Sequence, residues 1–181
     1  MSVPKDGRFW KNKARHHADC VTAEGDTIAT YYVLKYPDWV HVIAITPEQK
    51  IVLIDQYRHS LDVVSLEVPA GSIDQSNGSL LAAAARELAE ETGYVADEYR
   101  IVAKLSPNPT THSNMIHVVL ALNARASARP QNDPSEKVEI SLVSVRDLLT
   151  GIFLGEMVQA LHVSSVSLGL EATGLLSVTA E

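Results

Sequence analysis

Arg86-Glu87-Leu88-Ala89-Glu90-Glu91-Thr92-Gly93-Tyr94 closes a helical run that opens near Ser79, after the turn-like pair Asn77-Gly78, and continues through Leu80-Leu81 and Ala82 to Ala85. Ser79 has the chemistry of an N-cap and Gly93 that of the residue that ends a helix in the left-handed conformation. On an ideal helix Glu90 and Glu91 follow Glu87 by three and four residues, so the carboxylates share one face. Leu81, Ala84 and Leu88 form an adjoining face suited to a core. Like charges at this spacing oppose each other by a few tenths of a kcal/mol. In the last turn they also meet the negative end of the helix dipole, at a cost of ~0.3–1 kcal/mol each. Arg86 is the only basic residue close by, and one guanidinium does not balance that charge. A solvated acidic face is the ordinary explanation of such a run. Charges placed where helix electrostatics disfavours them point instead to a hard divalent cation held by oxygen ligands.

The segment Gly71 to Tyr94 resembles the signature of the Nudix hydrolases, Gly-x5-Glu-x7-Arg-Glu-U-x-Glu-Glu-x-Gly-U, in which U is a bulky apolar residue. Its second half matches at every fixed position, with Leu88 and Tyr94 in the U slots. Its first half departs. Gly71 to Arg86 is one residue longer than the pattern, and the first Glu of the signature falls on Asn77 or Gly78. The resemblance implies metal ligation by Glu87 and Glu91, with Glu90 in or near the cluster and Arg86 orienting the carboxylates. In relatives with a Pro-Ala-Gly turn the middle residue's carbonyl also meets a metal, which points to Ala70. Oxygen donors of this kind suit Mg2+ or Mn2+ better than zinc. No pair among the seven histidines has zinc-ligand spacing with Cys or Glu.

The likeness extends over roughly residues 28–165 toward the ADP-ribose pyrophosphatase branch. Pro134-Ser135-Glu136-Lys137-Val138-Glu139 resembles that branch's mobile loop, which assigns the catalytic base to Glu136, with Glu139 as runner-up. Gln56-Tyr57-Arg58 resembles a strand end whose Arg meets phosphate, a geometry guanidinium suits. Glu67, three residues before Ala70, either binds the nucleoside end of the substrate or braces the turn. Trp39 either stacks on a base or ribose or packs in the core. Asn114 and His117 are further pocket candidates, with loop capping as the alternative. The implied reaction is metal-dependent hydrolysis of a nucleoside diphosphate sugar, foremost ADP-ribose to AMP and ribose 5-phosphate. Another nucleoside diphosphate derivative (a GDP-sugar or dinucleotide) and a catalytically weak nucleotide-sugar sensor are the alternatives.

Composition bounds the rest. The chain has 181 residues, 46% of them hydrophobic, enough for one ordinary domain with a real core. A formal charge of −7 leaves no basic surplus for nucleic acid. The single Cys20 excludes an intramolecular disulfide and fits a reducing compartment. The basic N-terminus lacks the apolar core of a signal peptide, and no apolar run reaches the ~18–20 residues of a membrane span. The expectation is a cytoplasmic protein without membrane contact.

Alternation and turn residues predict strands near Cys20 to Leu34, Trp39 to Thr46, Ile51 to Tyr57, Val64 to Val68, Tyr99 to Ser106, Ile116 to Leu122 and Val138 to Val145. Helices are expected over Val145 to Phe153 and Glu156 to about Glu171, separated by Gly155. Residues 1–18 read as irregular, and Ala124 to Glu136 as a loop. The expected fold class is α/β, a Nudix-type α/β/α sandwich over residues 39–181 with a mixed β-sheet. Residues 1–38 form an N-terminal strand extension, and the resemblance implies that it joins a homodimer.

Overall fold

The computed structural model of the chain describes residues 15–73, 78–130 and 138–177. Its elements run β1 (Arg15–Val21), β2 (Thr27–Leu34), β3 (Trp39–Ile45), β4 (Lys50–Arg58), β5 (Val63–Glu67), β6 (Ala70–Ser72), α1 (Leu80–Thr92), β7 (Tyr94–Val95), β8 (Glu98–Leu105), β9 (Ile116–Leu122), β10 (Arg125–Ala126), β11 (Val138–Ser144), α2 (Val145–Leu154) and α3 (Ala160–Ala172). Most boundaries fall within two residues of expectation. β1 starts at Arg15, inside the segment read as irregular, because a hairpin ladder bonds through backbone groups and tolerates polar side chains. α3 starts at Ala160, four residues later than expected, since the Glu156 carbonyl is tied to the amide of Leu66. The short strands β6, β7 and β10 were not anticipated.

The main sheet is mixed, ordered β11-β4-β3-β9-β8, with β5 on β4 and β6 on β3. β3 and β9 are parallel in register from Trp39↔Ile116 to Ile45↔Leu122. Alternation along the strands divides the core. Val40, Val42, Ala44, Val52, Val119 and Ala121 pack with Ala84 and Leu88 of α1. Ile43, Ile45, Leu53, Val118 and Leu120 pack on the opposite face with Leu148 of α2 and Val166 and Leu170 of α3. A half-period shift in any of these strands would exchange the two faces, so the pattern fixes the register. The result is helix on both sides of a mixed sheet, as expected.

β3 and β4 pair only at Ala44↔Val52 and Ile45↔Ile51. Toward its N-terminus β3 takes β6 instead, through Trp39↔Ser72, Val40↔Gly71 and His41↔Ala70, while β4 takes β5. The amide of Val42 crosses the divide to the Pro69 carbonyl at 2.8 Å. Two neighbouring strands that diverge must open a gap, and that gap positions the site.

Candidate active site

The splay forms a cleft of about 380 Å³ walled by Trp39, His41, Arg58, Glu67, Ala70 and His162. Gly71 and Ser72 continue the wall from β6, and Val158 and Gln159 reach in from the start of α3. Most of these residues lie at strand ends or turns, where the backbone leaves the sheet and frees side chains for chemistry.

α1 brings its acidic end against the Ala70-Gly71 turn, which forms part of the cleft wall. Ser79 caps the helix, its Oγ accepting from the amide of Ala82, and Gly93 ends it at φ 71° with its amide on the Ala89 carbonyl. Glu91 Oε2 accepts from the amide of Ala70 at 2.9 Å, locking the helix to the Pro-Ala-Gly turn. Glu87 is buried and lies against Gly71 so closely that a Cβ there would stand 2.1 Å from its carboxyl carbon. Arg86 donates to Glu90 Oε2 at 2.6 Å and to Glu87 Oε1 at 2.5 Å. The structure therefore brings Ala70, Arg86, Glu87, Glu90 and Glu91 together.

The donor set fits a hard divalent cation. The carboxylates and the Ala70 backbone are oxygen donors, and the bare Cα of Gly71 leaves room for the Glu87 carboxylate. Among the described residues no three His, Cys, Asp or Glu side chains converge into a ready-made cage. Glu87 is held by Arg86 and Glu91 by the Ala70 amide.

Beside this turn lies an ionic network built on the buried Glu67. Arg58 Nε donates to Glu67 Oε1 at 2.6 Å, and its Nη2 donates to Oε2. His162 Nε2 lies 3.1 Å from the same Oε2. Burial alone would raise the Glu67 carboxyl, but the hydrogen bonds from Arg58 and His162 outweigh it and hold its pKa at about 2. With both oxygens occupied and 1% exposure, Glu67 fits the bracing alternative better than direct substrate contact. The Arg58 side chain, 40% exposed, faces the cleft. Trp39, half-buried, lines the cleft from the start of β3, with Tyr36 tilted against it at 5.9 Å.

Other candidates separate. His117 Nε2 pairs with Asp38 at 2.8 Å, and neither His117 nor Asn114 lines the cleft. Glu139 is exposed on β11, and Glu136 lies outside the described residues. Inspection of spacing missed His41, His162 and Ser165, which meet in space across β3 and α3. A signal was present: His41 occupies an inward position in an alternating apolar strand, where a histidine requires a partner. Burial, reinforced by His162, lowers the His41 pKa to about 3.

A mixed sheet thus lies between helices, with a glutamate-rich helix end packed behind a cleft at the strand splay. The NUDIX domain family matches residues 35–161, well over half of the chain, and the chain belongs to that family. It is 32% identical over 118 residues to an ADP-ribose pyrophosphatase of Bacillus subtilis (strain 168), covering 65% of this chain and 63% of that protein. It is 27% identical over 149 residues to an ADP-ribose pyrophosphatase of Mycobacterium tuberculosis, covering 82% of this chain and 72% of that one. The chain thus spans rather less than two thirds of the Bacillus subtilis relative's length. The crystal structure of an ADP compounds hydrolase superposes with a TM-score of 0.75 at 22% identity, covering 87% of this chain and 86% of that one, which establishes the shared fold.

Proposed function

We propose that this chain hydrolyses the diphosphate bond of a nucleoside diphosphate sugar, with ADP-ribose giving AMP and ribose 5-phosphate as the leading reaction. The observation that carries this reading is the junction of Glu87 and Glu91 with the Ala70-Gly71 turn that walls the cleft. Its relatives' activities agree with it.

Glu87, Glu91 and the Ala70 carbonyl would hold Mg2+ or Mn2+. When bound, such ions supply positive charge against the diphosphate and acidify a water molecule. Arg86 keeps Glu87 and Glu90 oriented, so that little reorganisation is needed when substrate arrives. Arg58 presents its guanidinium to a phosphate while Glu67 and His162 hold it in place. Trp39 offers an aromatic face to the base or ribose. Glu136 is assigned the role of base, with Glu139 as the alternative. Water adds across the P–O–P linkage, each phosphorus leaving as a monoester.

The same reading places the chain in the cytoplasm. Among the described residues no helix is long and apolar enough to cross a membrane. It also divides the chain at residue 38 and makes the protein a homodimer, supported by a β1-β2 hairpin that forms its own sheet.

The test is turnover of ADP-ribose with Mg2+, with AMP and ribose 5-phosphate detected by phosphatase-coupled phosphate release. Glu91→Gln should lower kcat by about a hundredfold or more. Equal turnover in both proteins removes Glu91 from the reaction. Tight binding without turnover in either supports a nucleotide-sugar sensor, and preferential turnover of a GDP-sugar or dinucleotide reassigns the substrate.

A further inference from the structure

His41 carries a second, finer assignment, which rests on the hydrolase reading. Inward-facing and 4% exposed, its ring lies on that of His162 with centroids 4.3 Å apart and planes 21° from parallel. Each ring's protons follow from its neighbours. His162 Nδ1 accepts from the amide of Val68 at 3.1 Å, so its proton sits on Nε2 and faces Glu67. Ser165 Oγ lies 2.8 Å from the Leu161 carbonyl, which can only accept, so the one serine proton is committed there. The contact between His41 Nδ1 and Ser165 Oγ, 2.9 Å, must then use the imidazole proton. His41 Nε2 is left as a bare acceptor.

Among the described residues nothing hydrogen-bonds that nitrogen, although the ring lines the cleft. Open to the cleft, that nitrogen is placed to take a hydrogen bond from a donor on a bound ligand. Phosphate oxygens at neutral pH carry lone pairs and would be repelled. The donor's position is also bounded. His41 is the β3 partner of Ala70, one inter-strand spacing (~4.8 Å) away, and Ala70 belongs to the turn that the proposed function sets against the diphosphate. A base amine lies a whole pentose away from that point. The remaining donors are hydroxyl groups of a pentose joined directly to the diphosphate.

We propose that His41 is a specificity-determining residue whose Nε2 accepts a hydrogen bond from a hydroxyl of a pentose attached to the diphosphate. Ser165 and His162 are positioning residues: Ser165 fixes which nitrogen is bare, and His162 fixes the plane of the ring. The arrangement selects sugar esters over esters that lack hydroxyls, and it would resist a phosphate sliding into the sugar's place.

The experiment compares ADP-ribose with two probes: the ADP ester of tetrahydrofurfuryl alcohol, and 2′,3′-dideoxyadenosine diphosphate ribose. Each removes the hydroxyls from one of the two pentoses. Turnover and equilibrium binding with Mg2+ are both measured for the wild type, His41→Phe and His41→Gln. The wild type should favour ADP-ribose over at least one probe by roughly tenfold, mainly in KM, as one hydrogen bond predicts. His41→Phe should bring that ratio near one, while His41→Gln, which retains an amide acceptor, keeps several-fold preference. A wild type that treats all three alike overturns the assignment without any variant, as does a folded His41→Phe with an unchanged ratio. Binding that shows the preference without turnover overturns the hydrolase reading and sustains His41. Absence of binding to all three overturns both.

Discussion

At Gly71 a single missing carbon sets the position of a carboxylate. Its φ lies outside the left-handed region, so alanine is permitted by the backbone, yet a Cβ would stand 2.1 Å from Glu87 Cδ. The atom that must yield is the far end of a flexible side chain, so Gly71→Ala should cost little stability. It should instead displace Glu87, weakening Mg2+ binding and lowering turnover by about ten- to a hundredfold while melting temperature shifts by only a few degrees; a large loss of stability with normal metal affinity would contradict this account. Glu67 makes the opposite kind of case, where the main effect is on stability. Its carboxyl is held at about 2 in the folded chain, below its ordinary value of 4.5. A depressed carboxyl pKa contributes stability above the unfolded value, and that contribution fades as pH falls from about 4.5 toward 2. Glu67→Gln leaves Arg58, which is 40% exposed and can reach water, without its charge partner and should cost about 1–3 kcal/mol near neutrality. In urea unfolding at a series of pH values, the gap between variant and wild type should narrow as pH drops below 4.5. A gap that stays constant would remove the ion pair as its cause.

Among the elements, α3 is the one whose placement decides the cleft wall. Gly169 lets it approach β3: an added Cβ would lie 2.6 Å from Ile43 Cγ1 and 2.9 Å from Cγ2, in a fully buried side chain. Gly169→Ala should therefore cost about 1–3 kcal/mol, or several degrees in melting temperature at ~2–4 °C per kcal/mol for a domain of this size. Because His162 and Ser165 ride on the same helix, the shift should also raise KM for ADP-ribose. An unchanged melting curve would mean the helix can slide without loss. These elements were unequally legible. α1 could be bounded to the residue because Ser79 and Gly93 supply its caps, and β3, β4 and β9 because inward residues alternate with a definite period. β6 has three residues and no period to read; it exists because β3 loses β4 as a neighbour and its open edge takes the turn. The acidic face was visible as local spacing on one helix. The His41–His162–Ser165 cluster was not, since 121 to 124 residues separate the β3 histidine from its α3 partners and only tertiary packing joins them.

For the molecule as a whole, the N-terminal hairpin stands apart as its own two-stranded sheet. Among the described residues β1 and β2 pair with each other and with no strand of the main sheet. Their attachment runs through Leu34, whose amide meets the Thr111 carbonyl at 2.7 Å and whose carbonyl accepts from Ser113 at 3.2 Å. Tyr36 stacks on His112 just beyond it, with centroids 5.2 Å apart. A two-stranded hairpin is marginal in water unless an apolar face is covered. Here Val21 is 64% and Tyr32 47% exposed, apolar surface that a second copy would bury. Light scattering at micromolar concentration should return twice the 19.7 kDa of one chain. Val21→Glu with Tyr32→Glu places like charges in the shared surface and should release monomers, while leaving the seven-stranded body folded because neither residue belongs to its core. A wild-type mass of one chain would remove the dimer, and a double variant that stays dimeric would move the interface to another face. The exposed Phe153 and Leu154, at 90% and 73% at the end of α2, are the next place to substitute in that event.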